Sequence, residues 1–331
     1  MAGYTSLDNA ICAVESETTY GTDAFSGAPT GDQVIAFRNL VITPQMEAVE
    51  NDRMTATVTG ECHGIGYVQN NVTWEMPLIG SSAAGELPPG DALLKACNMK
   101  ATVVADTSVT YTINTANSQT DTPSATVVMY QRSVEDATGK RILARGVRST
   151  LMFNFTVGQE AYMGGEGVGL YDPIPATFSA LPTLPTSYNG DQCGWIVNTM
   201  AVTVGATTYP CEAVEFATNF NTEVIKTGDA TSGGQAGHVL LTKGKSGNRV
   251  GGSLTLADGS TALQDMITKA YAGTKASLTV VLTKGSRTIT FSFPAIQFGV
   301  FEDQSPRYNV PFFAVRADGT AGDNDFSIAY T

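Results

Sequence analysis

Only a few residues of this 331-residue chain could do chemistry, and their spacing argues against each reaction in turn. Gly244-Lys245-Ser246 resembles the end of a phosphate-binding loop, in which backbone N–H groups and the lysine cradle phosphate oxygens. That loop needs a glycine five residues before its Gly-Lys pair, and Val239 stands there. The run Gly164-Gly165-Glu166-Gly167-Val168-Gly169 lacks the spacing of a dinucleotide-binding turn and opens no helical pattern, so a turn or bulge is expected. Asp323-Asn324-Asp325 lacks the remaining oxygen ligands of a calcium loop. His63, beside Glu61 and Cys62, reads as a loop residue; with His238 it makes only two histidines, which excludes a multi-histidine metal site. No carboxylate pair is marked out for glycoside hydrolysis, and no nucleophile has a base at a telling distance. The expectation is a protein with no catalytic residues, no metal and no cofactor.

The five cysteines, Cys12, Cys62, Cys97, Cys193 and Cys211, are odd in number and contain no CxxC pair. That pattern predicts reduced thiols and synthesis inside the cell. The opening MAGYTSLDNAICAVE has neither the basic nor the apolar region of a secretory signal. Asn71-Val72-Thr73 and Asn154-Phe155-Thr156 are therefore read as chance matches to the glycosylation triplet. No run of 18 apolar residues occurs, so no membrane-spanning segment is expected.

The elements that would carry any site are mostly strands. Val72, Trp74, Met76 and Leu78 alternate with polar residues, as do Val109, Tyr111 and Ile113. Leu151, Phe153, Phe155 and Val157 show the same period, and so do Ile289, Phe291 and Phe293. Period two buries one face and wets the other, which predicts antiparallel sheets in sandwiches or half-barrels. One helix is expected over 261–272, with Leu263, Met266, Ile267, Ala270 and Tyr271 as its apolar stripe and Thr261 with Gln264 as a capping box. Gly273 would stop it. A shorter helix is expected over 91–98 with Asp91 as its N-cap.

The chain is organised as two halves. Residues 172–192 hold Pro173, Pro175, Pro182 and Pro185, and read as a linker between a first domain, 1–171, and a second, 193–331. Each half repeats strand, helix and strand. The helix 91–98 leads to a strand beginning Lys100-Ala101-Thr102, and the helix 261–272 to one beginning Lys275-Ala276-Ser277. Net charge is −12, with nine basic and 19 acidic residues in 1–190 against ten and 12 in 191–331. A chain this acidic is a poor reader of nucleic-acid sequence.

These features together resemble the tail tube (major tail) proteins of long-tailed bacteriophages. The resemblance is carried by Glu17-Thr18-Thr19-Tyr20-Gly21-Thr22-Asp23-Ala24, by Ala48-Val49-Glu50-Asn51-Asp52-Arg53, and by Leu93-Leu94-Lys95-Ala96-Cys97. In the second half it continues in Gly251-Gly252-Ser253-Leu254-Thr255-Leu256 and the helix after it. It implies an all-β fold with minor α: two tail-tube-like β-sandwich or half-barrel domains, each with one short flanking helix. It implies a structural, non-enzymatic virion protein, made in the host cytoplasm, that stacks as rings into a hollow tube. Simple members carry one such domain, so two per chain imply three chains per ring in a pseudo-sixfold, with a hexamer as the alternative. Other expected partners are the tape measure and tail terminator proteins, with genomic DNA passing through the lumen without sequence-specific binding. Segments 43–60 and 223–250 would reach the neighbouring ring and order on assembly. Their candidate contact residues are Glu50, Asn51, Asp52, Arg53, Lys226, Lys243, Lys245 and Arg249. The competing expectation is a non-catalytic β-rich binding or adhesion module.

Overall fold

The computed structural model describes residues 5–25, 27–49, 64–114, 118–133, 138–172, 179–182, 194–226, 236–243, 250–256, 260–300, 302–304, 307–316 and 325–331. The fold is all-β with minor α. In the first half the elements are β1 (Thr5–Ser16), β2 (Asn39–Val49), β3 (Gly64–Pro77), α1 (Asp91–Ala96), β4 (Met99–Val104) and β5 (Ser108–Ile113). They continue with β6 (Ala125–Ser133), β7 (Thr138–Ser149), β8 (Met152–Thr156), β9 (Tyr162–Tyr171) and β10 (Ser179–Ala180). The second half has β11 (Met200–Val204), β12 (Thr207–Tyr209), β13 (Cys211–Thr218), β14 (Phe220–Lys226), β15 (Ala236–Lys243) and β16 (Val250–Leu256). It closes with α2 (Ser260–Tyr271), β17 (Ala276–Lys284), β18 (Arg287–Phe298), β19 (Glu302–Gln304), β20 (Arg307–Ala314) and β21 (Ser327–Tyr330).

The alternating segments fall where their period places them. Val72, Trp74 and Met76 on β3, Val109, Tyr111 and Ile113 on β5, Phe153 and Phe155 on β8, and Ile289, Phe291 and Phe293 on β18 are all buried. Val157 is half exposed, because β8 ends at Thr156 and Val157 begins a turn.

Two sets of ladders share one connectivity. In the first half β1 pairs with β6, β6 with β7, β7 with β9 and β10, β9 with β3, and β3 with β2. In the second, β11 pairs with β17, β17 with β18, β18 with β20 and β21, β20 with β16, and β16 with β13. The counterpart of β17 is therefore β6, not the strand at Lys100 that the sequence order suggested. Hydrogen-bond partners, which a single sequence does not display, decide the match. The hairpin β4–β5 belongs to the first half alone.

Several joints cross between the halves, three of them in or beside the core. β8 pairs with β13, so Phe153 lies opposite Phe216, and β21 pairs with β5 while also pairing with β18. Trp195 packs on Gly80, where a Cβ would meet its ring at 2.5 Å. One apolar core runs through both halves, and Phe153, Phe155, Phe216, Phe291, Phe293 and Phe326 form a cluster of rings within it. Of the expected linker, β10 pairs with β7, while residues 173–178 and 183–192 lie outside the described residues.

Three local expectations need correction. The glycine run at 164–169 is neither turn nor bulge; it lies in β9, and the register shift is opposite, in β7 between Arg145 and Arg148. Glycine is needed there because a Cβ on Gly165 would meet the Thr150 carbonyl oxygen at 2.0 Å. Asp91 is the first helical residue and Gly90, at φ 92°, holds the N-cap position. Asp91 instead pairs with Lys95 at 2.7 Å and accepts the Tyr111 hydroxyl at 2.7 Å. In α2, which begins at Ser260 and so places Thr261 inside the helix, Met266 is buried but Tyr271 is 89 % exposed. The stripe thus leaves the core before the helix ends.

Candidate functional site

β2, β3, β9, β8, β13, β16 and β20 lie side by side in that order, each hydrogen-bonded to the next. The pleat sends alternate side chains to opposite faces. One face carries the core residues Trp74, Met163, Phe153, Phe216, Leu254 and Phe312. The other is polar. Across it run Gln45 and Thr43, Gln69, Asn71, Thr73 and Glu75, Glu166, Asn154 and Thr156, Glu215, Ser253 and Thr255, and Asn309. Gln69 donates to Gln45 at 2.7 Å and Asn71 donates to Gln45 at 3.0 Å; Ser253 donates to Glu215 at 2.9 Å. Among the described residues of these seven strands, the face bears the carboxylates Glu47, Glu75, Glu166 and Glu215 and one cation, Arg307 at the start of β20, which is ion-paired with Glu212 of β13.

Two long hairpins rise from this sheet. β2 and β3 form one stem; β13–β14 and β15–β16 form the other, with β14 and β15 paired as a ladder of their own. The stems meet near their tips. Lys226 of β14 contacts Glu47 of β2 at 2.8 Å and lies 4.8 Å from the centre of the Tyr67 ring on β3. Of the expected contact residues, Lys226 is placed here and Lys243 ends β15. Glu50, Asn51, Asp52, Arg53, Lys245 and Arg249 lie outside the described residues, as do His63 and Asp323. The parts of segments 43–60 and 223–250 that are described, Thr43–Val49, Glu223–Lys226 and Ala236–Lys243, are already strand in the single chain.

The loop after β1, which carries much of the resemblance, clamps the second stem. Glu17 is buried, and its carboxylate accepts from the Gly21 N–H at 2.7 Å, the Ser124 hydroxyl at 2.6 Å, the Thr126 hydroxyl at 2.8 Å and the Gly146 N–H at 2.7 Å. Gln119 links this carboxylate's neighbours to Arg148, which is wholly buried and donates to Gln119 at 3.3 Å and Asn98 at 3.2 Å. The loop so held presents Tyr20, whose oxygen accepts the Val239 N–H of β15 at 2.6 Å and whose ring lies tilted by 31° against His238, the centroids 3.8 Å apart. Sequence reading named this segment for its resemblance and missed that Glu17 is its internal anchor. No periodicity marks a buried carboxylate.

The His238 pKa lies below its ordinary value, through burial and then the Arg148 charge. A histidine depressed in the folded state contributes fully above its unfolded pKa of about 6.5 and loses that contribution as pH falls through the folded value. Lowering pH from about 7.5 to about 5 should therefore loosen β15 from Tyr20. The measurement is amide exchange at Val239, corrected for intrinsic rate. Exchange should quicken in acid, and His238→Phe should remove the pH dependence; an unchanged dependence in that variant would assign it elsewhere.

Cys12 and Cys97 are buried free thiols, and Cys211 is free and half-buried; burial pushes Cys12 and Cys211 up to about 12. These are packing residues rather than nucleophiles. Among the described residues no three of His, Cys, Asp or Glu gather as a metal site, and no helix is long and apolar enough to cross a membrane. Neither a protein-family model nor a curated protein matches the chain.

Proposed function

We propose that this chain is a structural, non-enzymatic virion protein whose rings stack into the tail tube of a long-tailed bacteriophage. The observation that carries the reading is the sheet face on which the carboxylates Glu47, Glu75, Glu166 and Glu215 outnumber the single described cation, Arg307, itself neutralised by its ion pair with Glu212. Turned toward a lumen, such a face repels phosphate and releases no counterions to it, so DNA slides past without adhering. The repeated ladders support a ring of like units, and two units per chain give six positions from three chains. The two hairpin stems, ion-paired near their tips, suit contacts along the tube axis. The tape measure and tail terminator proteins and the passing genome are the partners this role requires, and the virion is its location.

Negative-stain microscopy of the concentrated protein tests the reading. Hollow tubes whose rings hold three chains are expected; dispersed particles at every concentration would overturn it. Tubes of the triple variant Glu75→Lys/Glu166→Lys/Glu215→Lys should retain duplex DNA at about 50 mM salt and release it at several hundred millimolar, whereas wild-type tubes retain none. Lysine-bearing tubes that ignore DNA would take this face out of the lumen.

A further inference from the structure

We infer that the polar sheet face carries a docking trough for a basic amphipathic helix, running along β13 and β16 between walls formed by β8 and β20. The inference rests on the reading of this face as the wall of a lumen, and it names the chemistry of the protein segment that such a lumen would hold.

The ladders set the shape of the trough. In one row Met152 of β8 lies opposite Ala217 of β13, Ala217 opposite Gly251 of β16, and Gly251 opposite Phe313 of β20. The next row on the same face runs Asn154, Glu215, Ser253 and Pro311. Met152 and Phe313 are 37 % and 39 % exposed. They stand three strand spacings apart, about 14 Å at roughly 4.8 Å each. A helix with its side chains is about 10–12 Å across. The gap therefore takes one helix lying along the strands.

The walls are apolar where the pleat faces water. Phe153 and Phe312, on the neighbouring positions of β8 and β20, point into the core, as large apolar residues of a one-sided sheet do. Met152 and Phe313 point the other way. Ala217 and Gly251 place a single methyl group between them, so both walls are open to an occupant. Gly251 also bares the flank of the Phe313 ring, since a Cβ there would stand 3.3 Å from its Cδ1. Apolar side chains grouped on a face with a polar surround mark a contact with another chain.

Charge selects the occupant. Glu215 is exposed in the trough, one row on from the walls, about 7 Å along the strand. It accepts the Ser253 hydroxyl through Oε1 at 2.9 Å. Four helical residues rise about 6 Å and return to the same face. An apolar residue seated between Met152 and Phe313 thus sets a lysine four positions later beside Glu215. Such spacing is how a helix is read in a groove. The surrounding carboxylates Glu75 and Glu166 steer a cationic segment toward the face. Duplex DNA carries phosphate on its outside and gains nothing from either wall.

A synthetic helical peptide of alanine, leucine and lysine, with one leucine and one lysine in this spacing on one face, is the probe. It is labelled with a fluorophore and titrated into the full-length soluble subunit. Met152→Asp and Phe313→Asp, both at exposed positions, should each raise the Kd by about tenfold or more while leaving the melting curve in place. Glu215→Lys should do the same, whereas Glu75→Lys, an equal change of charge outside the trough, should change the Kd by less than about twofold. Equal weakening by the two lysine variants, or none by the two aspartate variants, would reduce the binding to attraction between a basic peptide and an acidic chain and overturn the trough. Aspartate variants that keep the peptide but form no tubes would show that a second copy covers this face, which also overturns it. Wild-type protein that forms no tubes would overturn the lumen reading, and the titration would still decide the trough.

Discussion

Replacing Glu17 by alanine is expected to lower the free energy of unfolding of the soluble subunit by about 4 kcal/mol, among the largest effects of any single polar substitution in the chain. The cause is what remains. The Gly21 and Gly146 N–H groups and the Ser124 and Thr126 hydroxyls all point at the Glu17 carboxylate, and the residue is only 1 % exposed. Each buried donor left without an acceptor costs about 1–3 kcal/mol, less whatever water can enter. Glu17→Gln keeps the shape but turns an NH2 toward donors, so about half the loss is expected. Glu166→Ala, at an exposed position, should change stability by less than about 0.5 kcal/mol. Denaturant titration measures all three. Since Tyr20 hangs on the same loop, exchange at Val239 should also quicken in Glu17→Ala. A loss below about 1 kcal/mol would mean that solvent reaches the four donors and that Glu17 does not anchor the loop.

Truncating Phe216 to alanine should cost about 3–5 kcal/mol and loosen both halves together. Its ring lies 5.0 Å from Phe153 and 5.8 Å from Phe155 of the first half, and 5.5 Å from Phe291 and 5.2 Å from Phe293 of the second. Edge-to-face and tilted pairs at such separations add roughly 0.5–1.5 kcal/mol each beyond burial. A double-mutant cycle between Phe153 and Phe291, one from each half and 5.1 Å apart, should return a coupling of about 1 kcal/mol. Calorimetry of the soluble subunit should show one transition that moves as a unit. Two transitions, with Phe216→Ala displacing only one, would show that the halves melt independently.

The strands that bury one face were legible because alternation is local: β3, β5, β8 and β18 could each be read from a handful of residues. Both helices were legible for the same reason, with boundaries displaced by a residue or two at their caps. Strand partners were not legible. Period two tells which side chains share a face but not which strand lies alongside, so β6 and β4 were indistinguishable as the match to β17. The glycine run in β9 misled because glycine is usually a turn signal, and its use for close backbone approach shows only when the opposing Thr150 carbonyl is in place. The anionic face was half visible. Charge totals put the acidity in the first half, yet Glu75, Glu166 and Glu215 come from three distant strands and meet only through the ladders.

The position of β21 between β18 and β5 has a consequence for the timing of folding. The β4–β5 hairpin is made early in the sequence, but the strand that covers its edge is the most distant one described. Proteins dominated by such pairings fold slowly, because chain entropy must be lost before the contact rewards it. During that wait the outer edge of β5 is bare, with Val103 and Val104 exposed on its partner strand, and bare edges recruit neighbouring chains indiscriminately. Rapid synthesis at high temperature should therefore drive this protein into aggregates, while slow synthesis in the cold lets β21 reach β5 first.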